Sequence, residues 1–282
     1  MHEKEIIKKF FLPLADNKES FGLKNDGALI SGNMVVSTDN MIEDCHFTKE
    51  YDPKKLAQKL IRINLSDLAA MGSIPYGYVM NLGIPNSDEV WLKRFSSGLK
   101  TDSKKFKLKL FGGDLTRSKK IFMSLTIFGK KNKAIHPKNI AKLGSEIFVT
   151  GNIGDAAIGC NLFNESYKIN CAKNLKNFFI NKFLLPEPRI QFGQDLLGKV
   201  DFCTDISDGL YEELKNISDN SGLEAVIFLD LIPFSNEAKH IFKKNNINEL
   251  YNIMIGGGED YELLFSSKKR IVSSIKNNKN FQ

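Results

Sequence analysis

The chain has 282 residues, 42% of them hydrophobic and 26% charged, the composition of a globular protein long enough for one large or two ordinary cores. No apolar run approaches the ~20 residues that span a bilayer, and "MHEKEIIKKFF" carries acidic residues that a signal peptide avoids, so a cytoplasmic protein without membrane partners is expected. The net charge of +7 is largely local, because Ser266 to Gln282 holds five basic residues and no acidic one, leaving +2 for the rest.

The opening segment predicts a short amphipathic helix. Strands are predicted at "NMVVST", "GYVMNLGI", "LKLFGG" and "IFMSLTIFG", alternating with helices near 54–72 and 87–105. In the first helix Leu56, Leu60, Ile63 and Ala70 form an apolar stripe, and Gly72 marks its stop. Asp67 falls on that stripe, close to the helix end where the macrodipole disfavours a carboxylate. The second helix has a capping-box pattern, Asn86 with Glu89, and Trp91 and Phe95 on its core side. Between Lys130 and Leu143 the apolar pattern lapses and Pro137 interrupts, which places a domain boundary near 140. Strand-turn-helix units follow in "SEIFVTGNIGDAAIGC" and "VDFCTDISDGLYEELKNI", then strands at "LEAVIFL" and "YELLF". The fold class is therefore α/β (α+β), with two mixed domains, 1–140 and 141–282.

Four cysteines, Cys45, Cys160, Cys171 and Cys203, match no zinc spacing and are expected as reduced, mostly buried thiols. Cys45 and His46 are neighbours on an extended segment, point to opposite faces and make no nucleophile-base pair. His2, His136 and His240 are expected at the surface, Arg189 in a structural role, and Asp219 and Asp230 have no companions.

Asp67 has company. Asp26 lies in "KNDGALI", Ser37, Thr38 and Asp39 end a strand, Asp114 follows two glycines, and Asp205 and Asp208 flank a helix start. One such Asp is a turn residue; six at the ends of apolar runs suggest a site. Clustered carboxylates repel one another and need a cation. All-oxygen ligands without His or Cys suit Mg²⁺, which normally bridges to substrate phosphates. Yet "GNIGDAAIG" is neither a P-loop nor GxGxxG, and protein-kinase motifs are missing. A different ATP fold is required.

The blocks "DGALI", "VVSTDNMIEDCHF", "INLSDLAAMGSIP", "FGGDLTRS", "VTGNIGDAAIG", "PEPRIQFG", "DISDGL" and "GGGEDYELLF" resemble, in this order, the thiamine-monophosphate kinase family. Several recur more loosely in the aminoimidazole-ribonucleotide-synthetase-like superfamily. The resemblance implies an N-terminal domain that dimerises through its sheet, with ATP and Mg²⁺ held between two domains. It implies transfer of the γ-phosphoryl group of ATP to thiamine monophosphate, giving the diphosphate. It places Asp26, Ser37, Thr38, Asp39, Asp67, Asp114, Asp205 and Asp208 on Mg²⁺ positions. Gly113, Asp114, Lys138 and Ser207 fall on ATP contacts, and His46 and Glu259 on acceptor contacts. No residue is assigned as a catalytic base: a phosphate acceptor is already ionised near neutral pH.

Departures are visible too. Asn25-Asp26 stands where relatives commonly carry two acidic residues, and Lys138 replaces an arginine, losing its bidentate fork. The resemblance also implies a further segment after "YELLF", with an aromatic that stacks on the thiamine, so the 141–282 domain is expected to lack the family's last piece. Two alternatives remain at this point: another ATP-dependent synthetase of the superfamily, of purine-intermediate or selenophosphate type, or an RNA-binding protein built on its lysine clusters. The second is disfavoured by lysines outnumbering arginines 35 to 5, with no aromatics interleaved in "KKNKAIHPKNIAK".

Overall fold

The computed structural model describes residues 1–136 and 141–267. The amino end is a short helix α1 (Glu3–Ile6) continued by one wider turn, Ile7–Phe11. A five-stranded sheet follows, in the order β1 (Ala28–Ile30), β2 (Met34–Ile42), β5 (Phe122–Lys130), β3 (Ile74–Ile84), β4 (Lys109–Arg117). All neighbours are antiparallel except β3 and β4. Parallel neighbours need a crossover, and α3 (Glu89–Lys105) supplies it. Its cap is Asp88, which accepts from the N–H groups of Val90 and Trp91. Asn86 was the expected cap, but it lies two residues before the helix's actual cap position, too early for its side chain to take those donors.

Helix α2 (Pro53–Ala70) begins on Asp52, which accepts from Lys54 N–H at 2.8 Å, with Pro53 filling the first-turn position that needs no donor. Gly72, at φ +67°, ends it as expected. Burial of this helix extends well beyond the apolar stripe. Gln58, Lys59, Arg62, Asn64 and Ser66 are buried along with the apolar stripe. The reason is packing on several sides: the sheet and α3 cover one part, while α6 (Ile190–Asp195) and β7 (Phe202–Asp205) cover the end. Leu56, Leu60, Leu65 and Leu68 are fully enclosed, each contributing roughly 2 kcal/mol through removal from water. Arg62 is paired inside with Asp102 of α3 at 2.6 Å, and Asp102 also accepts from Gln58 at 2.8 Å.

The second sheet, in the order β6 (Glu146–Val149), β8 (Leu263–Ser267), β7, is antiparallel throughout. Around it lie α4 (Asp155–Asn164), α5 (Lys173–Leu184), α7 (Leu210–Ser221), α8 (Asn236–Phe242) and α9 (Ile247–Gly256). Ile153, Phe179, Phe202, Ile206, Ala238 and Met254 form its core. A smaller cluster of Ala69, Ala70, Phe192, Leu196, Cys203, Leu263 and Phe265 welds the end of α2 to this sheet. The last turn of α2 is therefore where the two sheets meet.

Three further expectations fail. "LEAVIFL" forms no strand: residues 223–228 are irregular and Val226 and Phe228 stay about two-thirds exposed, since the apolar run finds no pairing edge among the described residues. His136 is 1% exposed, its ring sharing a hydrogen bond with Gly193 O at 2.7 Å, and burial lowers its pKa. Of the four cysteines, only Cys203 is buried; Cys45 is exposed, and Cys160 and Cys171 are half-buried. Trp91 stacks on Phe95 at 4.8 Å against the first core, as read from its stripe. Among the described residues no helix is long and apolar enough to cross a membrane.

Candidate functional site

Strand alternation sets up the first half of the site. On β2, Val35 and Met41 point into the core beneath α2, so Ser37 and Asp39, two and four residues on from Val35, face the same side. There Ser37 Oγ donates to Asp67 Oδ2 at 2.5 Å. Asp26, in the bend before β1, accepts from Thr204 Oγ1 of β7 at 3.2 Å, and Asp205 closes that strand. Asp26, Asp67 and Asp205 each present a carboxylate oxygen, all within 4.8 Å of one another. Residues separated by 179 positions thus converge on one point.

The electrostatics follow from that convergence. Asp67 is held well above the ordinary carboxylate range, first by burial and then by Asp39, Asp205 and Asp26; the Ser37 hydrogen bond opposes this. Asp39 is raised to about 6 by burial, with its hydrogen bond to Asp67 opposing and Asp26 adding to the shift. Carboxylates so crowded favour either protons or a cation. The donor set is carboxylate and hydroxyl oxygen throughout, which fits a hard divalent ion such as Mg²⁺.

The other sequence-derived positions divide. Thr38 alternates to the opposite face of the sheet, where its hydroxyl donates to Leu125 O at 3.2 Å and accepts from Thr126 at 3.1 Å. Asp114 is on that outer face as well, opposite Asn81, whose Oδ1 accepts its N–H at 3.1 Å. Gly113 is three strands from Asp39 in one cross-strand row, about 14 Å at the usual strand spacing. The sheet does not bring Thr38 or Asp114 to the carboxylate trio. Gly113 is required where it is: at φ +152°, a Cβ would lie 1.8 Å from Met80 O. Ser207 and exposed Asp208 sit in the turn before α7, outside the trio. Lys138 lies outside the described residues.

That turn is zipped to the loop after α9. Glu259 N–H donates to Ser207 O, Tyr261 N–H to Ile206 O, and Ile206 N–H to Glu262 O, at 2.8 to 2.9 Å. Glu259 is held at φ +80°, unusual for a residue with a side chain. Its Oε2 lies 2.8 Å from Lys59 Nζ, and that ammonium is only 2% exposed. His46 is exposed, with Nδ1 accepting from Ile42 N–H at 3.1 Å, and lines a pocket of about 640 Å³ with Phe47, Thr48 and Phe163. Tyr51, packed on Phe163 at 4.6 Å and Phe183 at 6.0 Å, links this pocket to the Lys59–Glu259 pair, since Glu259 raises the Tyr51 phenol after burial.

Why "GNIGDAAIG" is no phosphate loop is also clear. Asp260 Oδ2 accepts from Gly154 N–H at 2.7 Å and Oδ1 from Ala156 N–H at 3.1 Å, so the N–H groups at the start of α4 are already taken by a side chain of this protein. Arg189 has the structural role read for it: it makes a two-pronged pair with Glu262 at 2.5 and 2.6 Å. Lys59 was missed by the sequence reading. Its signal was present, four residues before Ile63 and eight before Asp67 on the same helical face.

Comparisons with known proteins agree with this architecture. Residues 24–130 match the family described as AIR synthase related protein, N-terminal domain. The solved structure described as AaThiL complexed with AMPPCP and TMP superposes with a TM-score of 0.86 at 27% identity, covering 96% of this chain and 88% of that one. The thiamine-monophosphate kinase of Escherichia coli (strain K12) is 36% identical, covering 94% of this chain and 82% of its own length. That of Buchnera aphidicola subsp. Schizaphis graminum is 39% identical over 283 residues, 97% of this chain and 85% of its own length. With this identity over nearly the whole chain, the protein belongs to the thiamine-monophosphate kinase family.

Proposed function

We propose that this chain transfers the γ-phosphoryl group of ATP to the phosphate of thiamine monophosphate, giving thiamine diphosphate. The observation that carries the reading is the convergence of Asp26, Asp67 and Asp205 within 4.8 Å where the two sheets meet. Family membership supports it, as does the related structure described as holding an ATP analogue and TMP.

Donor and acceptor are both polyanions, so their approach needs charge neutralisation before anything else. Mg²⁺ bound at the trio would supply that neutralisation and polarise phosphoryl oxygens. The chain's own residues prepare for it. Ser37 orients Asp67 by its 2.5 Å hydrogen bond, and Thr204 orients Asp26. Asp39 extends the same acidic surface along β2. Asp208 is proposed as a further Mg²⁺ contact, Ser207 and Lys138 for the nucleotide end, and His46 and Glu259 for the acceptor. The ionised acceptor phosphate is the nucleophile, so no side chain has to take a proton.

We also propose two domains divided near 140 and a homodimer joined through the five-stranded sheet. Supporting the dimer, β4 is exposed along its whole length, with Leu110 56%, Phe111 47% and Leu115 65% exposed. A bare, apolar edge strand invites pairing.

The test is direct. Purified chain with ATP, Mg²⁺ and thiamine monophosphate should release thiamine diphosphate on chromatography, and excess EDTA should stop it. Free thiamine should remain unphosphorylated, because its hydroxyl would need a base that these residues do not offer. No thiamine diphosphate from the monophosphate with ATP and Mg²⁺ present would refute the reading.

A further inference from the structure

The mechanism above leaves unexplained a lysine buried in the middle of α2. Lys59 is 2% exposed, its Nζ lies 2.8 Å from Glu259 Oε2 and 3.5 Å above the Phe183 ring, and burial lowers its pKa while Glu259 raises it. A buried charge pair costs several kcal/mol of desolvation, and apolar residues of similar size are often no less stable there. Core packing alone therefore gives no reason for a lysine. Its partner is not a core residue either. Glu259 sits in the loop zipped to Ser207, with backbone at φ +80° and its side chain one-third exposed, although Oε2 itself is enclosed. Left-handed backbone at a side-chain-bearing residue persists only where surroundings hold it.

We propose that Lys59 is a positioning residue of the acceptor site: its ammonium fixes one carboxylate oxygen of Glu259, so that the exposed part of the group takes an N–H donor or a cationic ring of the acceptor. The Phe183 face holds the ammonium from behind, which restricts it to one position. The ion pair thereby couples the core of α2 to the loop that recognises the acceptor. This rests on the reading of Glu259 as an acceptor contact.

A double-mutant cycle in steady-state kinetics tests it, using thiamine monophosphate and Mg²⁺-ATP. Lys59→Met should raise KM for thiamine monophosphate about tenfold while KM for ATP stays within about twofold. Glu259→Gln should do the same, and the double variant should be no worse than Glu259→Gln alone. Lys59→Arg, which keeps the charge, should recover part of the loss. If Lys59→Met does not fold, Lys59→Gln enters the same cycle. Additive losses in the double variant, or equal losses toward ATP, would overturn the role of Lys59. A parent chain that phosphorylates no thiamine monophosphate would instead overturn the functional reading beneath it.

Discussion

Ser37 donates to Asp67 at 2.5 Å, tying the middle of β2 to the last turn of α2. The bond opposes, without cancelling, the burial and neighbouring charges that push Asp67 up. In the metal-free protein, Asp67 is thus an electrostatic burden placed beside three other carboxylates. Asp67→Asn keeps the shape and removes the charge. Its metal-free stability is expected to stay level or rise by about 1 kcal/mol. Mg²⁺-ATP should then no longer raise the melting temperature as it does for the parent, and activity should collapse. An unfolded metal-free Asp67→Asn would show Asp67 to be a structural hydrogen-bonding residue.

Arg189 and Glu262 behave in the opposite sense. Their two-pronged pair is largely enclosed, and Thr150 Oγ1 donates to the same carboxylate at 2.5 Å. Removing one partner leaves a charge without its counterpart. Arg189→Ala should destabilise the chain by about 3 kcal/mol in urea titrations, with KM values of the folded fraction little changed. Arg189→Lys should recover only part, since an ammonium cannot reproduce the fork. A large KM effect with unchanged stability would contradict this.

Asp155 offers a pH test away from the acidic trio. It is 2% exposed, accepts from Ser235 Oγ at 2.6 Å, and burial raises its pKa from 3.8 to about 6. The folded state therefore holds this proton more tightly than the unfolded chain. Its contribution favours folding below pH ~4 and is lost as pH rises to ~6. Asp155→Asn should match the parent near pH 4 and be more stable by about 3 kcal/mol at pH 7. Melting curves at the two pH values decide it; an equal difference at both would remove the titration from the account.

The exposed edge strand gives a fourth test. Leu110→Glu combined with Leu115→Glu places two charges on β4 without touching the core beneath α2. Light scattering should show the parent as a dimer and the variant as a monomer, because charges on an edge strand block pairing. A parent that is already monomeric would remove the dimer proposal.

Periodicity alone located β2, β3, β4, β5, β6, β7, β8, α2 and the α3 crossover, because alternation and helical spacing are local properties of the chain. The same local logic flagged Asp67 as a carboxylate out of place. It could not report that α2 is enclosed beyond its apolar stripe from Leu56 onward, since that depends partly on α6 and β7, which lie more than a hundred residues away. "LEAVIFL" has the composition of a strand, but a strand exists only where a neighbour offers its ladder, and here none does among the described residues. Likewise the six acidic residues looked equivalent in the sequence. The pleat of the sheet separated them, turning Ser37 and Asp39 toward Asp67 and sending Thr38 and Asp114 to the other face. Residue types and spacing are written along the chain, whereas which carboxylates share a point in space, and that Lys59 meets one oxygen of Glu259, is decided by packing between distant segments.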